Sequence, residues 1–319
     1  ILRCLVGSEM CIRDSVSALR RLFFFCRRAA DIHIHYFENI ISKLYRFSMS
    51  KSRTFSARFT HVLFFYVRYT VRVPRKERII MSTLLQVKNI TKIYPNQPKP
   101  GLDNISFEVA QGEFLGIMGA SGSGKTTLLN VLSTIDVPTN GHIVMGKTYI
   151  EKLGQRQAAD FRKNNLGFIF QSFNLIDELT VCENVELPLI YIGVKANERK
   201  ERVKKVLEKV NLLHRANHYP QQLSGGQQQR VAIARAVVTD CKLLLADEPT
   251  GNLDSVNGIE VMELLSELNA QGTTIIIVTH SQRDAMYAHR VIQLLDGQIV
   301  AENVNRPLGK NMSAKNETV

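Results

Sequence analysis

A glycine-rich loop between an apolar strand and a helix constrains the fold of this chain more than any other feature. It reads Gly119-Ala120-Ser121-Gly122-Ser123-Gly124-Lys125-Thr126-Thr127, and it directly follows the nearly continuous apolar run Phe114 to Met118. Glycines let backbone N–H groups converge on an anion, and the helix that opens here adds favourable partial charge. The pattern therefore predicts an α/β domain with a phosphate-binding loop, in which Lys125 reaches the β- and γ-phosphates of a nucleotide and the Thr126 hydroxyl binds Mg²⁺.

A second apolar strand ends in two adjacent carboxylates. The run Leu243 to Ala246 is apolar, and Asp247 and Glu248 follow it. Ligands gather at the carboxyl ends of strands in open α/β sheets, so Asp247 can hold Mg²⁺ while Glu248 orients or deprotonates an attacking water. In isolation, the two acids would equally fit the solvated start of a loop. Beside a phosphate-binding loop, the catalytic interpretation is favoured.

Residues 82–303 alternate between short apolar runs and longer helical patterns, which predicts a mainly parallel sheet covered by helices. Six runs are predicted as strands: Leu84 to Thr91, Ile105 to Val109, Phe114 to Met118, Leu166 to Phe170, Lys242 to Ala246 and Thr274 to Thr279. Strand-like runs are scarce between Gln171 and Ser224, where Asn197 to Val210 has the periodicity of an amphipathic helix. We therefore expect an inserted helical subdomain at about residues 172–232, and a frayed polar tail at residues 304–319.

Residues 1–80 differ from the remainder in charge. They hold 16 of the 41 Lys and Arg residues but 5 of the 29 Asp and Glu residues, so nearly all of the net charge of +12 belongs to them. The segment Leu5 to Ser15 resembles a translated adapter fragment, and Met81 opens a stretch of ordinary composition. We expect residues 1–80 to be a disordered, non-native extension. A cleaved Arg-rich targeting peptide and a basic arm for a membrane surface are the alternatives.

The near-neutral remainder argues against a nucleic-acid partner, because its composition contains no excess of basic residues for such a surface. Cys182 and Cys241 lie far apart, without metal-type or redox-type spacing, and are predicted to be reduced thiols of a cytosolic protein. No apolar run in the sequence is long enough to span a bilayer. Any membrane role is therefore expected to come through a partner.

A second glycine-rich run begins about 100 residues after the phosphate-binding loop. Ser224-Gly225-Gly226-Gln227 follows Leu223 and opens an apolar helix from Val231 to Val238. Ser is a common N-cap, so the run by itself predicts only a capped helix. Together with the phosphate-binding loop and the acidic strand end, in that order, it resembles the signature motif of the ATP-binding-cassette family. The resemblance extends over residues 82–302.

This resemblance implies both a fold and a mode of action. The implied fold is an α/β P-loop NTPase cassette over residues 82–303, with a mainly parallel RecA-like sheet core, an antiparallel β part and an inserted helical subdomain. Two copies would form a head-to-tail dimer that holds ATP and Mg²⁺ between Lys125 of one copy and the Ser224 run of the other. ATP hydrolysis would drive an integral membrane permease from the cytoplasmic face of the bacterial inner membrane.

The resemblance also assigns single residues. Tyr94 matches the aromatic residue that stacks on adenine, and Gly119 to Thr127 match the loop that contacts the nucleotide. Gln171 matches the glutamine that senses Mg²⁺ and the γ-phosphate, Asp254 lies in the loop that joins the two sites of a dimer, and His280 matches the switch histidine. The implied catalytic residues are Lys125, Gln171, Glu248 and His280, and the implied metal ligands are Thr126, Gln171 and Asp247.

Longer motifs point to one subgroup of this family. Gln227-Gln228-Gln229, the stretch Ala246 to Asp254 and the stretch Leu179 to Val185 resemble ATPases that serve lipoprotein release, macrolide export and peptide-antibiotic resistance. Export or release of such a substrate through a separate permease is the implied function. One alternative is a cassette that regulates a non-transport process, such as cell-wall remodelling, through a permease-like partner. Another is a nucleotide-binding scaffold without turnover, which the intact acidic strand end and Lys125 disfavour.

Overall fold

The computed structural model describes residues 82–95 and 99–305, which form two β-sheets and the helices around them. The expectations for residues 1–80 and for residues 306–319 lie outside this part of the chain. Within it, none of the helices is both long enough and apolar enough to cross a bilayer. Val304 still pairs with Arg290, and the Asn305 N–H donates to the His289 carbonyl at 2.9 Å, so the ordered sheet edge reaches into the predicted tail.

The first sheet is antiparallel and has four strands in the order β2-β1-β4-β5. These strands are β1 (Thr83–Lys92), β2 (Leu102–Ala110), β4 (Asn140–Met145) and β5 (Thr148–Tyr149). Along β1, Leu85 and Val87 are buried whereas Lys88 is exposed. Such alternation is typical of a sheet with one face against a core. The two runs predicted as half-buried strands, in β1 and β2, are confirmed.

The second sheet has six strands in the order β10-β9-β3-β8-β7-β6. Its strands are β3 (Phe114–Met118), β6 (Leu166–Ile169), β7 (Leu243–Asp247), β8 (Thr274–Thr279), β9 (Arg290–Leu295) and β10 (Gln298–Val304). All neighbouring pairs are parallel except β9 and β10. The central strands are continuous apolar runs because they are buried on both faces. The four runs predicted as buried strands, in β3, β6, β7 and β8, are confirmed.

Helices dominate the stretch between β6 and β7, where strand-like runs are scarce. The helices of the described residues are α1 (Lys125–Leu132), α2 (Gln155–Asn165), α3 (Val181–Tyr191), α4 (Ala196–Lys209), α5 (Gly225–Val237), α6 (Ser255–Ala270) and α7 (Gln282–Ala285). The predicted helix at residues 197–210 is α4, and its Val203 and Leu207 are buried. Both α3 and α4 pack against α5, which carries the second glycine-rich run at its start.

Two hydrophobic cores lie on opposite faces of the second sheet. Along β7, Leu244 and Ala246 face one core, while Leu243 and Leu245 face the other. The first core also contains apolar side chains of α3, α4 and α5, and the second contains those of the first sheet and α1. Full burial of one Leu side chain contributes about 1.5–3 kcal/mol. The ends of β3 and β7, where the loop and the two acids begin, are therefore held from both sides.

Candidate functional site

The predicted phosphate-binding loop connects the end of β3 to the start of α1. Gly122 and Gly124 have φ angles of 80° and 100°, in the left-handed region that glycine adopts without strain. A Cβ atom on Gly124 would lie 2.5 Å from the carbonyl oxygen of Gly101. One on Gly119 would lie 2.5 Å from the carbonyl oxygen of Leu294. A loop of this shape requires glycine at these positions.

Lys125 and Ser123 are buried within this loop. Nζ of Lys125 donates hydrogen bonds of 2.8 Å to the carbonyl oxygens of Gly119 and Ala120, so the ammonium group lies against the loop itself. The Ser123 side chain is 3% exposed, and its Oγ has no hydrogen-bond partner among the described residues. A buried hydroxyl without a partner is costly, and a phosphate oxygen would satisfy it. The loop thus offers a cation and an unpaired hydroxyl together.

Of the two carboxylates predicted at the end of β7, that of Glu248 lies beside His280. Nδ1 of His280 is 3.1 Å from Oε1 of Glu248. Glu248 has a φ of 44°, a left-handed conformation that is unusual for a non-glycine residue, and its N–H donates to the Val278 carbonyl at 2.9 Å. Burial and the neighbouring Glu248 charge raise the pKa of Asp247, and the Lys125 ammonium acts in the opposite direction. The loop lysine and the acids therefore share one electrostatic environment.

Gln171 lies just after β6 and contacts the turn that follows Glu248. Its backbone carbonyl accepts a hydrogen bond of 3.1 Å from Nδ2 of Asn252, and its Nε2 lies 3.4 Å from Oδ1 of the same residue. The fully buried Gln229 of α5 reaches the same turn, since its Nε2 donates to the Pro249 carbonyl at 2.7 Å. Sequence reasoning did not assign Gln229 a role at this site, although a buried polar residue in an apolar helix is the signal that would have found it.

The second glycine-rich run forms the capped start of α5. Oγ of Ser224 accepts from the Gln227 N–H at 3.3 Å, and Oε1 of Gln227 accepts from the Ser224 N–H at 3.0 Å. This reciprocal pair is a capping box. Ser224 is exposed, and within the described residues no hydrogen bond joins residues 224–227 to residues 119–127. The two glycine-rich runs therefore make no hydrogen bond to one another in a single chain.

Asp254 caps the start of α6, beside this run. Its Oδ1 accepts hydrogen bonds of 3.0 and 2.9 Å from the N–H groups of Val256 and Asn257. These hydrogen bonds, with those from Asn257 foremost, hold the pKa of Asp254 below its ordinary value. Gly226 packs directly against Asn257, since a Cβ on this glycine would lie 2.6 Å from Cγ of Asn257. The Asp254 loop and the second glycine-rich run are thus one packed unit.

Tyr94 lies just after β1, next to the first turn of α1. A Cβ on Gly101 would lie 3.2 Å from Cε2 of the tyrosine ring and 3.5 Å from Cγ2 of Thr127. The ring and the first turn of α1 therefore border the same glycine. The Tyr94 hydroxyl donates to Oδ2 of Asp136 at 2.9 Å. Nothing in the sequence joined Asp136 to Tyr94, because 42 residues separate them.

A buried link between Thr250 and Asp284 was also absent from the sequence prediction. The Thr250 hydroxyl donates to Oδ2 of Asp284, a fully buried side chain in α7. The Asp284 N–H donates to Oγ of Ser281, the residue after His280. The turn that follows Glu248 and the segment that follows His280 are therefore tied together.

Solved structures of known proteins resemble this chain over the described fold. The ATP-binding cassette MJ0796, solved as a dimer in a post-hydrolysis state bound to ADP and Pi, is 42% identical, with a TM-score of 0.65 over 70% of this chain and all of that chain. CbiO1 from Clostridium perfringens, part of the ABC transporter complex cbiONQ, is 28% identical, with a TM-score of 0.65 over 70% of this chain and 88% of its own. The expected cassette fold is confirmed.

Relatives in sequence agree with these structures. An uncharacterized ABC transporter ATP-binding protein of Methanocaldococcus jannaschii is 49% identical over 225 residues, which are 70% of this chain and all of that protein. The macrolide export ATP-binding/permease protein MacB 1/2 of Paracoccus denitrificans is 47% identical over 223 residues, 69% of this chain. The match covers 33% of that protein, so the chain spans about a third of its length.

A family model described as ABC transporter matches residues 102–251, from the start of β2 through the turn after Glu248. This stretch contains the phosphate-binding loop, the second glycine-rich run and the acidic strand end. The chain belongs to the ABC transporter family, as an ATP-binding cassette.

Proposed function

We propose that this chain is the ATP-hydrolysing subunit of a transporter, working on a separate integral membrane permease from the cytoplasmic face of the bacterial inner membrane. The observation that carries the proposal is the group at the end of β7. There the strained Glu248 lies beside Asp247, with Nδ1 of His280 3.1 Å from the Glu248 carboxylate. Strained backbone of this kind persists where the surroundings hold it in place, and it clusters at active sites.

The phosphate-binding loop is the proposed cradle for the triphosphate of ATP. Residues 119–127 would contact the phosphates, with Lys125 moving its hydrogen bonds from the loop carbonyls to the β- and γ-phosphate oxygens. The unpaired Oγ of Ser123 supports this assignment, because a phosphate oxygen would complete its hydrogen bonding. Tyr94, beside the first turn of α1, would stack on the adenine.

Mg²⁺ fits the donors near this cradle. Thr126, Gln171 and Asp247 would hold it. Within residues 82–95 and 99–305, no three His, Cys, Asp or Glu side chains cluster as a closed metal cage. That suits Mg²⁺, which usually takes one or two protein carboxylates together with substrate phosphates and water. When bound, Mg²⁺ would neutralise charge on the phosphate oxygens.

Hydrolysis would depend on Glu248 and its neighbours. The Glu248 carboxylate would orient or deprotonate the attacking water, and His280 would hold both that carboxylate and the γ-phosphate. Phosphoryl transfer is mostly positioning and charge stabilisation, so the rigid links around Glu248 matter as much as its charge. Gln171 is hydrogen-bonded to Asn252 in the turn after Glu248. It would couple the presence of the γ-phosphate at this site to the position of the helices that follow it.

The site is proposed to be completed by a second copy in a head-to-tail dimer. The Ser224 run has an exposed, capped helix start, and it makes no hydrogen bond to residues 119–127 of its own chain within the described residues. A helix start favours an anion through its N–H groups and its dipole. The γ-phosphate held by Lys125 of one copy would meet Ser224 to Gln227 of the other, with Asp254 at the junction.

The proposed domain covers residues 82–303 together with Val304 and Asn305, which bond to the sheet edge, and its helical subdomain lies at about residues 172–232. Several relatives are macrolide export proteins with ATP-binding and permease parts, which supports a macrolide as the cargo. A lipoprotein or a peptide is proposed beside it, on the subgroup resemblance of the sequence motifs alone. The surface around residues 171–185 would transmit movement to the permease. Export through that permease is the proposed direction.

Glu248→Gln tests this proposal. The amide keeps the shape of the side chain but removes the base, so we expect ATP turnover to fall about 100- to 10,000-fold. We also expect an ATP-bound dimer to accumulate, measured by size-exclusion chromatography with light scattering. Glu267→Gln, on the exposed face of α6, is the matched control and is expected to behave as the wild type. Wild-type turnover in Glu248→Gln would refute the role of Glu248.

A further inference from the structure

Lys92, Tyr94 and Asp136 form a compact polar cluster at the end of β1. Oδ2 of Asp136 accepts a hydrogen bond of 2.9 Å from the Tyr94 hydroxyl, and Oδ1 accepts one of 2.5 Å from Nζ of Lys92. The Val137 N–H also donates to Oδ1, at 2.7 Å. The carboxylate is therefore fixed by three donors, one of which is the tyrosine.

Lys92 contacts the tyrosine ring as well as the carboxylate. Its Nζ lies over the Tyr94 ring at 5.0 Å from the centroid, within the range of a cation–π interaction. The same ammonium donates to the Val137 carbonyl at 2.8 Å. The lysine thus fixes the plane of the ring, while Asp136 fixes the position of its hydroxyl.

Burial and charge stabilise the contacts of this polar cluster. The side chains of Lys92 and Asp136 are 13% and 28% exposed, so water screens this pair less than a surface ion pair. Burial alone would raise the pKa of Asp136, but hydrogen bonds from Lys92 and Tyr94 outweigh it and hold the pKa below its ordinary value. Burial and the hydrogen bond to Asp136 raise the pKa of Tyr94. Near neutral pH, the tyrosine keeps the proton that it donates.

We propose that Asp136 and Lys92 are positioning residues that hold the Tyr94 ring ready to stack on the nucleotide base. This inference rests on the proposed function, in which Tyr94 contacts adenine. Tyr94 lies in an irregular segment between β1 and β2, where a side chain would otherwise sample several rotamers. Ordering the ring before ATP binds removes that cost from the binding step, which corresponds to about a 2- to 10-fold gain in affinity.

Asp136 also lies in the turn that ends α1, where its N–H donates to the Asn130 carbonyl at 3.1 Å. If Asp136 only stabilised this turn, its loss would disturb the phosphate-binding loop at the other end of α1 and weaken phosphate binding. That effect would not depend on the Tyr94 hydroxyl. A residue that acts through Tyr94 would change binding of the base and leave binding of the phosphates alone. The two roles therefore predict different ligand dependence.

The experiment measures equilibrium displacement of a ribose-labelled fluorescent ATP from the full chain, by ATP and by inorganic tripolyphosphate. The variants are Tyr94→Phe, which removes the hydroxyl alone, Asp136→Ala, Lys92→Met, and the double variant of Tyr94→Phe with Asp136→Ala. In each, we expect the Kd for ATP to rise about 2- to 10-fold and the Kd for tripolyphosphate to stay constant. The double variant is expected to bind no more weakly than the worse single variant.

Asp160→Ala, which removes an exposed carboxylate paired with Lys163 on α2, is the matched control and is expected to leave both Kd values unchanged. Equal losses of affinity for ATP and tripolyphosphate, or additive effects in the double variant, would contradict the positioning role of Asp136 and Lys92. Tyr94→Ala, which removes the whole ring, is measured in the same way; if it leaves ATP binding unchanged, the adenine assignment itself is wrong. If Tyr94→Ala weakens ATP binding while Tyr94→Phe and Asp136→Ala do not, Tyr94 contacts adenine but the positioning role of Asp136 and Lys92 is wrong.

Discussion

At Gly226, the absence of a side chain lets the start of α5 approach α6. We expect Gly226→Ala to lower the free energy of unfolding by about 1–3 kcal/mol, because the new methyl group would overlap the Asn257 amide. Asn257→Ala in the same chain is expected to recover part of that loss, because it removes Oδ1 and Cγ but keeps Cβ, which would lie 2.9 Å from the new methyl group. Urea unfolding of the two single variants and the double variant measures the coupling.

Gly154→Ala is the control for this pair. Gly154 has a φ of −68°, and the nearest atom to a Cβ there is Oε1 of Gln157, at 3.8 Å. Gly154 is the N-cap of α2, where alanine is less favourable than glycine, so a loss of no more than about 1 kcal/mol is expected. A double variant of Gly226 and Asn257 as unstable as Gly226→Ala alone would contradict the steric explanation.

Contacts between residues close in the chain could be predicted from the sequence, and contacts between distant residues could not. Ser224 and Gln227 are three positions apart, so their polar cap follows from local helix geometry. Tyr94 and Asp136, or Thr250 and Asp284, are joined across 42 and 34 residues. No local periodicity connects such pairs, because the folding of whole elements brings them together. The roles proposed for Glu248 and Tyr94 are predictions that the variants above test.

At the scale of elements, the Thr250–Asp284 link joins the turn after β7 to α7. We expect Thr250→Val, which is nearly isosteric but lacks the hydroxyl, to lower the free energy of unfolding by about 1–3 kcal/mol, because it removes a donor from a buried carboxylate. Thr250→Ser keeps the donor and is expected to lose clearly less. Urea unfolding compares the two variants. Thr250→Val keeps the methyl group that Thr250→Ser removes, so a loss for Thr250→Val no larger than that for Thr250→Ser would contradict a dominant contribution of the hydrogen bond.

The strands that the sequence predicted share one property, which is strong apolar character. The central strand β7 is buried on both faces, and its run of leucines can adopt few other positions. By contrast, β10 lies at a sheet edge and is mostly exposed, so its residues carry little pattern. The helix α2 buries only Ala158, and its polar sequence gives no apolar stripe to detect. Tertiary pairing, and not local preference, places both elements.

At the scale of the whole molecule, the proposed dimer makes each site depend on two chains. Lys125→Ala and Ser224→Arg are each expected to abolish ATP turnover, because every dimer of one variant has two damaged sites. Mixing the two variants in equal amounts is expected to restore up to about a quarter of wild-type turnover, since half of the dimers then contain one intact site. A phosphate-release assay measures the recovery. A mixture as inactive as its components would contradict independent composite sites.

The sheet between the two hydrophobic cores has a consequence for how the molecule moves. The amide hydrogens of β3, β7 and β8 are covered on both faces, so we expect them to exchange with solvent only through global unfolding. The edge strand β10 would exchange through local opening. The phosphate-binding loop and the two acids are therefore attached to the part of the domain that deforms least. We therefore expect the conformational change of a catalytic cycle to rotate the peripheral helices relative to these central strands, which keep their positions.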